Sequence, residues 1–147
     1  MDKVKMFREY TRQLECHLGN INQSDCCCCG VSTAQCFILV EIGRKPEISV
    51  KELAKILHID KSSVSRSVEE LVQKGFVERR SSKEDRRYVI LTLLPKGKER
   101  FEKIESDMYM KFKEVLEQIP KEKQEQVIEA LRLYNEACAM VEEKKYE

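Results

Sequence analysis

Apolar residues along the first part of the chain fall at Val4, Phe7, Tyr10, Leu14 and Leu18. That spacing predicts a first helix, with Gly19 as its stop and Asn20 to Gly30 as a loop. Ser32 is placed to cap a short second helix, Thr33 to Ile42, closed by Gly43 and a turn at Lys45-Pro46. It is apolar nearly all round, which predicts burial. Ser49-Val50-Lys51-Glu52 has the form of a capping box, in which Ser49 takes a free backbone N–H and Glu52 reaches back to the cap. Val50, Leu53, Ala54 and Leu57 then make one apolar stripe, His58-Ile59 a turn, and Asp60 the cap of a further helix striped by Val64, Val68, Leu71 and Val72 and ended by Gly75. Two β-rich runs follow, Phe76 to Arg80 and Tyr88 to Leu93. The polar segment between them, Ser81 to Arg87, is too long for a tight turn and too charged to pack, so it projects as a wing. Phe101, Ile104, Met108, Phe112, Val115 and Ile119 stripe a long helix that stops before Pro120, and Val127, Leu131, Tyr134, Cys138 and Val141 stripe another. The expected fold is mainly α, six helices with one small β-hairpin.

The outward face of the Asp60-capped helix carries Ser62, Ser65, Arg66 and Glu69. Short hydroxyls let a helix approach a groove closely, and Lys61, Ser62 and Ser63 stand at its positive end, where phosphates are favoured. Alone, this is also the face of an ordinary surface helix. The wing decides between the two, because Arg86 and Arg87 at its tip could enter a minor groove, with Asp85 at hand to orient a guanidinium. Charge agrees: residues 44–98 hold 14 Lys and Arg against 8 Asp and Glu, while the total over 147 residues is only +1. A neutral chain thus hides a basic middle suited to double-stranded DNA. No run approaches the ~20 apolar residues needed to span a bilayer, and no signal peptide follows Met1, so the expectation is a cytoplasmic protein without membrane contact.

The helix capped by Ser49, the helix capped by Asp60, the run KGFVERR, the Asp85-x-Arg87 wing tip and the following Lys96-Gly97 together resemble the MarR family of winged-helix transcription regulators. The likeness is specific over Gly30 to Phe101 and extends to the flanking helices by pattern only. It implies a homodimer on a pseudo-palindromic operator. Residues 1–30 and 95–147 would form the dimerisation helices and residues 31–94 the winged-helix DNA-binding unit. Carried onto this chain, the base-reading face is Ser62, Ser63, Ser65 and Arg66, and the wing pair is Asp85 and Arg87. Two departures stand out. Leu94 replaces the usual Thr before the helix that follows the hairpin, leaving Pro95 at the first helical position, and Gly19 interrupts the first helix early. The two last helices independently suggest a dimer, since a small winged-helix unit cannot cover both stripes; a hairpin packed within one chain is the alternative.

Cysteine usage points to other chemistry. Cys26, Cys27, Cys28 and Cys29 are consecutive, with Cys16 and Cys36 near in sequence and Cys138 distant. In a reducing compartment an odd, clustered set suggests thiol or metal chemistry rather than a disulfide scaffold. Alternate members of an extended run share a side, so Cys26 with Cys28, or Cys27 with Cys29, could supply two thiolates, completed by Cys16, His17 or Cys36. Such a set suits Zn²⁺, Cu(I), trivalent arsenic or an iron–sulfur cluster; oxidation, with Cys16 or Cys36 trapping a thiolate of the run, is the second reading. Cys36 and Cys138 also fit as small core residues.

These features give a repressor whose cysteine loop senses a thiophilic metal, metalloid or oxidant. A regulator with a small-molecule effector and inert or structural cysteines is an alternative. Further rivals are a winged helix that binds only protein, and a small thiol enzyme. The enzyme reading lacks a Cys-x-x-Cys beside a βαβ unit, a glycine-rich phosphate loop and an acid–base constellation.

Overall fold

The computed structural model describes residues 2–26 and 30–145. The chain folds as two compact units, residues 1–107 and 108–147.

The first unit begins with α1 (Lys3–Cys26), which is longer than its periodicity predicts. Gly19 does not stop it: an interior glycine costs a helix about 1 kcal/mol relative to alanine, and the half-buried Leu18 and Ile21 carry the apolar side onward. The expected loop from Asn20 is therefore helical as far as Cys26. Next, α2 (Thr33–Arg44) opens with a full capping box: the Ser32 hydroxyl accepts from Gln35 N, and Gln35 Oε1 accepts from Ser32 N. Gly43 does not end this helix either. Its bare Cα is the spot where a Cβ would run into the Phe101 ring, so it acts as a packing residue.

A two-residue strand, β1 (Ile48–Ser49), leads directly into α3 (Val50–Leu57). Ser49 Oγ accepts from Glu52 N at 3.0 Å, but Glu52 does not close the box as expected. Its carboxylate accepts from the Ser49 hydroxyl (3.3 Å) and pairs with the Lys45 ammonium. His58 ends α3 in the left-handed conformation (φ 55°), turning the chain toward Asp60 and α4 (Lys61–Gln73). The hairpin strands are β2 (Val77–Ser81) and β3 (Val89–Leu93). They belong to a three-stranded antiparallel sheet of order β1-β3-β2, in which Leu91 stands between Ile48 on one side and Arg79 on the other.

The core lies where α2, α3 and α4 meet this sheet. Ile38, Leu39, Ile42, Ile48, Leu53, Val64, Val68, Leu71, Val77 and Leu91 are each less than 2% exposed, and the buried Ile104 of α5 (Pro95–Glu117) joins them. Proline opens α5 at the first helical position, where the missing N–H costs nothing. Within the first turn, Gly97 lies so close to the Phe76 carbonyl that any Cβ would collide with backbone.

In the second unit the end of α5 is closed by Gln124, whose Nε2 donates to Leu116 O (3.0 Å) and Ile119 O (3.1 Å). A 3-10 turn (Lys121–Lys123) then gives way to α6 (Gln124–Lys145). Here the predicted stripes are only partly covered, with Met108, Ile119, Tyr134 and Cys138 half-buried. Phe112, Val115, Val127, Leu131 and Val141 are 36–58% exposed.

Candidate nucleic-acid interface

Burial of Val64, Val68 and Leu71 fixes the rotation of α4 about its axis, so Lys61, Ser62 and Arg66 face solvent and Ser65 is half-exposed. The N-terminal end is tightly organised. Asp60 Oδ2 accepts from Ser63 N (2.9 Å), Oδ1 accepts from the Ser63 hydroxyl (2.7 Å), and the same hydroxyl oxygen accepts from Arg66 Nη2 (3.2 Å). The Ser63 hydrogen bonds, with Arg66 nearby, hold the Asp60 carboxyl below its usual pKa. Ser63 is thus occupied locally, and its effect is to steady the Arg66 guanidinium; Ser62 and Ser65 are the hydroxyls that face outward.

The wing is built by its own short-range bonds. Ser82 N donates to Tyr88 O (2.9 Å) and Tyr88 N to Asp85 O (3.1 Å), closing the loop. Asp85 then grips Arg87 in four ways: Oδ1 accepts from Arg87 N (3.1 Å) and Nε (3.1 Å), and Oδ2 from Nε (3.3 Å) and Nη2 (2.9 Å). Hydrogen bonds from Arg87 keep the Asp85 pKa below the ordinary carboxylate range. The Arg87 side chain is still 86% exposed, so it is aimed without being sheltered. Arg86 beside it is exposed as well.

Sequence reasoning missed three residues on this side. Lys51 of α3, Arg79 of β2 and Tyr88 line a cleft of about 440 Å³ together with Lys61, Ser65 and Arg87. Arg79 could have been found from strand alternation, since it shares a face with the buried Val77 and therefore points toward α4, where it pairs with Glu69. A larger cleft, about 730 Å³, on the other face of the wing mixes Lys51, Lys55, Arg80 and Lys83 with Glu47, Glu52 and Glu84.

Among the described residues no three His, Cys, Asp or Glu side chains are grouped to hold a metal. Cys16 is exposed on α1 and Cys36 is buried in α2. Cys26 closes α1 ten residues after Cys16, a backbone rise of about 15 Å along the axis. The side chain of Cys26 lies outside the described residues. Cys27, Cys28 and Cys29 lie outside the described residues. Nearby, Lys74 Nζ from the end of α4 donates to Gly30 O (2.8 Å) and Gln35 Oε1 (3.4 Å), and Gln35 in turn donates to Glu70.

A family model described as the MarR family matches residues 30–87. The HTH-type transcriptional regulator BilQ of Clostridium symbiosum is 38% identical over 103 residues, 70% of this chain and 72% of BilQ. The chain belongs to the MarR family. Another relative, the HTH-type transcriptional repressor MdtR of Bacillus subtilis, is 31% identical over 75 residues, 51% of this chain and 48% of MdtR. Among solved structures, that of Streptococcus pneumoniae FabT in complex with DNA superposes with a TM-score of 0.80 at 19% identity, covering 92% of this chain and 99% of FabT. Membership makes the chain a DNA-binding transcription regulator of the MarR type. It also sets aside the thiol-enzyme reading, because these relatives are regulators rather than enzymes. No helix among the described residues is long and apolar enough to cross a membrane.

Proposed function

We propose that this MarR-family chain is a homodimeric repressor that reads a pseudo-palindromic operator through Lys61, Ser62, Ser65 and Arg66 in the major groove and through Arg86 and Arg87 in the minor groove. Ser63 and Asp85 set the aim of Arg66 and Arg87. The observation that carries the reading is the pairing of a rigid, outward α4 face with an exposed guanidinium held by Asp85 in three hydrogen bonds. Anisotropy of a labelled operator duplex tests it. Arg66→Ala should cost about 1–3 kcal/mol and relax sequence preference, while Arg87→Ala weakens binding; indifference to both would refute a DNA role for this face.

Dimerisation through residues 1–30 and 95–147, with residues 31–94 as the DNA-binding unit, is supported by the apolar side chains left open on the terminal helices. Val4, Phe7 and Tyr10 are 57–72% exposed on α1, and Ile128, Leu131 and Val141 are 43–58% exposed on α6. Two-fold symmetry would place two recognition helices about 34–36 Å apart, one turn of duplex. The relative MdtR is a repressor, which favours repression over activation.

For input, the run Cys26 to Cys29 senses a thiophilic metal, metalloid or oxidant, with Gly30 carrying the change to α4 through Lys74. Operator affinity with and without arsenite, zinc or peroxide, in the wild type and with all four cysteines changed to serine, decides it. Equal affinity throughout would leave a small-molecule effector and inert cysteines as the account.

A further inference from the structure

The cleft between α4 and the root of the wing differs from the larger one on the wing's other face in the sign of its walls. Its lining brings Lys51 from α3, Lys61 from the first turn of α4, Arg79 from β2 and Arg87 from the wing around Ser65 and Tyr88, and includes no carboxylate. The larger cleft carries three glutamates against four cations. Four cations from four separate elements converging on one depression is an arrangement that costs stability through self-repulsion unless anions relieve it. Relief from outside the lining is already partial. Asp85 holds Arg87 in the wing, and Glu69, on the outward side of α4, reaches over to the Arg79 guanidinium. The Arg79 and Glu69 side chains are 38% and 44% exposed, so their pair is open to exchange with ions from solvent.

We propose that this cleft is a seat for one backbone phosphate of the bound duplex, and that Glu69 is an internal competitor which occupies Arg79 until the phosphate arrives. The inference rests on the DNA reading above and adds Lys51, Arg79 and Tyr88 to the contact set. Phosphate fits the chemistry of the walls: a planar guanidinium donates to it bidentately, Lys51 and Lys61 supply point charges, and the Ser65 and Tyr88 hydroxyls can donate to its oxygens. The Glu69 carboxylate is what the phosphate must displace, so the protein gives up one ion pair on binding. Because backbone contacts carry no sequence information, this seat, which takes Ser65 for itself, sets register and affinity and leaves base discrimination to Ser62 and Arg66.

The test is the salt dependence of binding to a labelled random-sequence duplex, measured by anisotropy with wild-type protein, Arg79→Gln, Glu69→Gln and the double variant, each checked for an unchanged circular dichroism spectrum. Each neutralised phosphate contributes about 0.9 to the slope of log K against log salt. Arg79→Gln is expected to flatten the slope by about one per protomer. Glu69→Gln should tighten binding several-fold, and that gain should vanish when Arg79 is already Gln. A slope unaltered by Arg79→Gln, with wild-type protein still binding, overturns the seat and leaves the DNA reading standing. A Glu69→Gln gain that persists in the double variant reduces Glu69 to general repulsion of DNA and overturns the competition. Wild-type protein that fails to bind any duplex at low salt overturns both readings together.

Discussion

Ile38, Leu39, Leu53 and Leu71 of the first unit are at most 1% exposed, whereas Ile128, Leu131, Met140 and Val141 of the second are 43–64% exposed. Both regions are written in the same amphipathic code, yet only the winged-helix part of the first buries its apolar surface within the chain. Each buried leucine of the winged-helix core contributes roughly 1.5–3 kcal/mol by transfer alone. The open residues on α6 contribute nothing of the kind until something covers them. The winged-helix core is thus complete in one chain, and the terminal helices keep apolar side chains open to solvent.

The sharpest way to break this contrast is to mutate both sides and vary protein concentration. Leu71→Ala is expected to lower unfolding free energy by about 2–5 kcal/mol, and denaturant titrations should give the same loss at low and high protein concentration. Ile128→Glu with Leu131→Glu should act in the opposite manner, leaving the dichroism of dilute protein close to wild type while sedimentation shows the assembled species lost; a mass unchanged by that pair would place the interface elsewhere. Gly97→Ala comes next, at about 1–3 kcal/mol for forcing a methyl group against the Phe76 backbone, read from the denaturant midpoint. Asp60→Ala removes an N-cap and should have the smallest effect, a melting temperature lower by a few degrees and faster amide exchange in the first turn of α4. Because Asp60 titrates below its usual range in the folded protein, its contribution is complete above the unfolded value and disappears as pH falls through the folded one. Wild-type protein should therefore lose more stability below about pH 4 than Asp60→Asn does.

Where local chemistry governs, the sequence is readable. Asp60 as a cap, Ser32 at the start of α2, Pro95 at the start of α5 and the Asp85–Arg87 wing tip all follow from residue type and spacing of three or fewer positions. What escapes is set by partners distant along the chain. β1 is two residues long, too short for any period, and exists because Ile48 and Ser49 find Leu91 and Ile90. Glu52 looks like half of a capping box until Lys45 claims it. Gly19 and Gly43 look like stops, but α1 runs past the first, and the second serves the Phe101 ring. Arg79 is intermediate: alternation with Val77 gives its face of the strand, but its partner Glu69 lies on another element.

Lys74 supplies a final consequence, one of leverage. Its ammonium holds the carbonyl of Gly30, its own carbonyl accepts from Lys96 Nζ at 2.9 Å, and it sits at the far end of α4 from the residues that face outward for reading. With 13 residues, α4 is a rod of about 20 Å, so a tilt of about 5° at the Lys74 end sweeps Ser62 through about 2 Å. A hydrogen bond in a groove is gone well before that distance. The short tether at the quiet end of the helix is therefore the place where the smallest push would be magnified most.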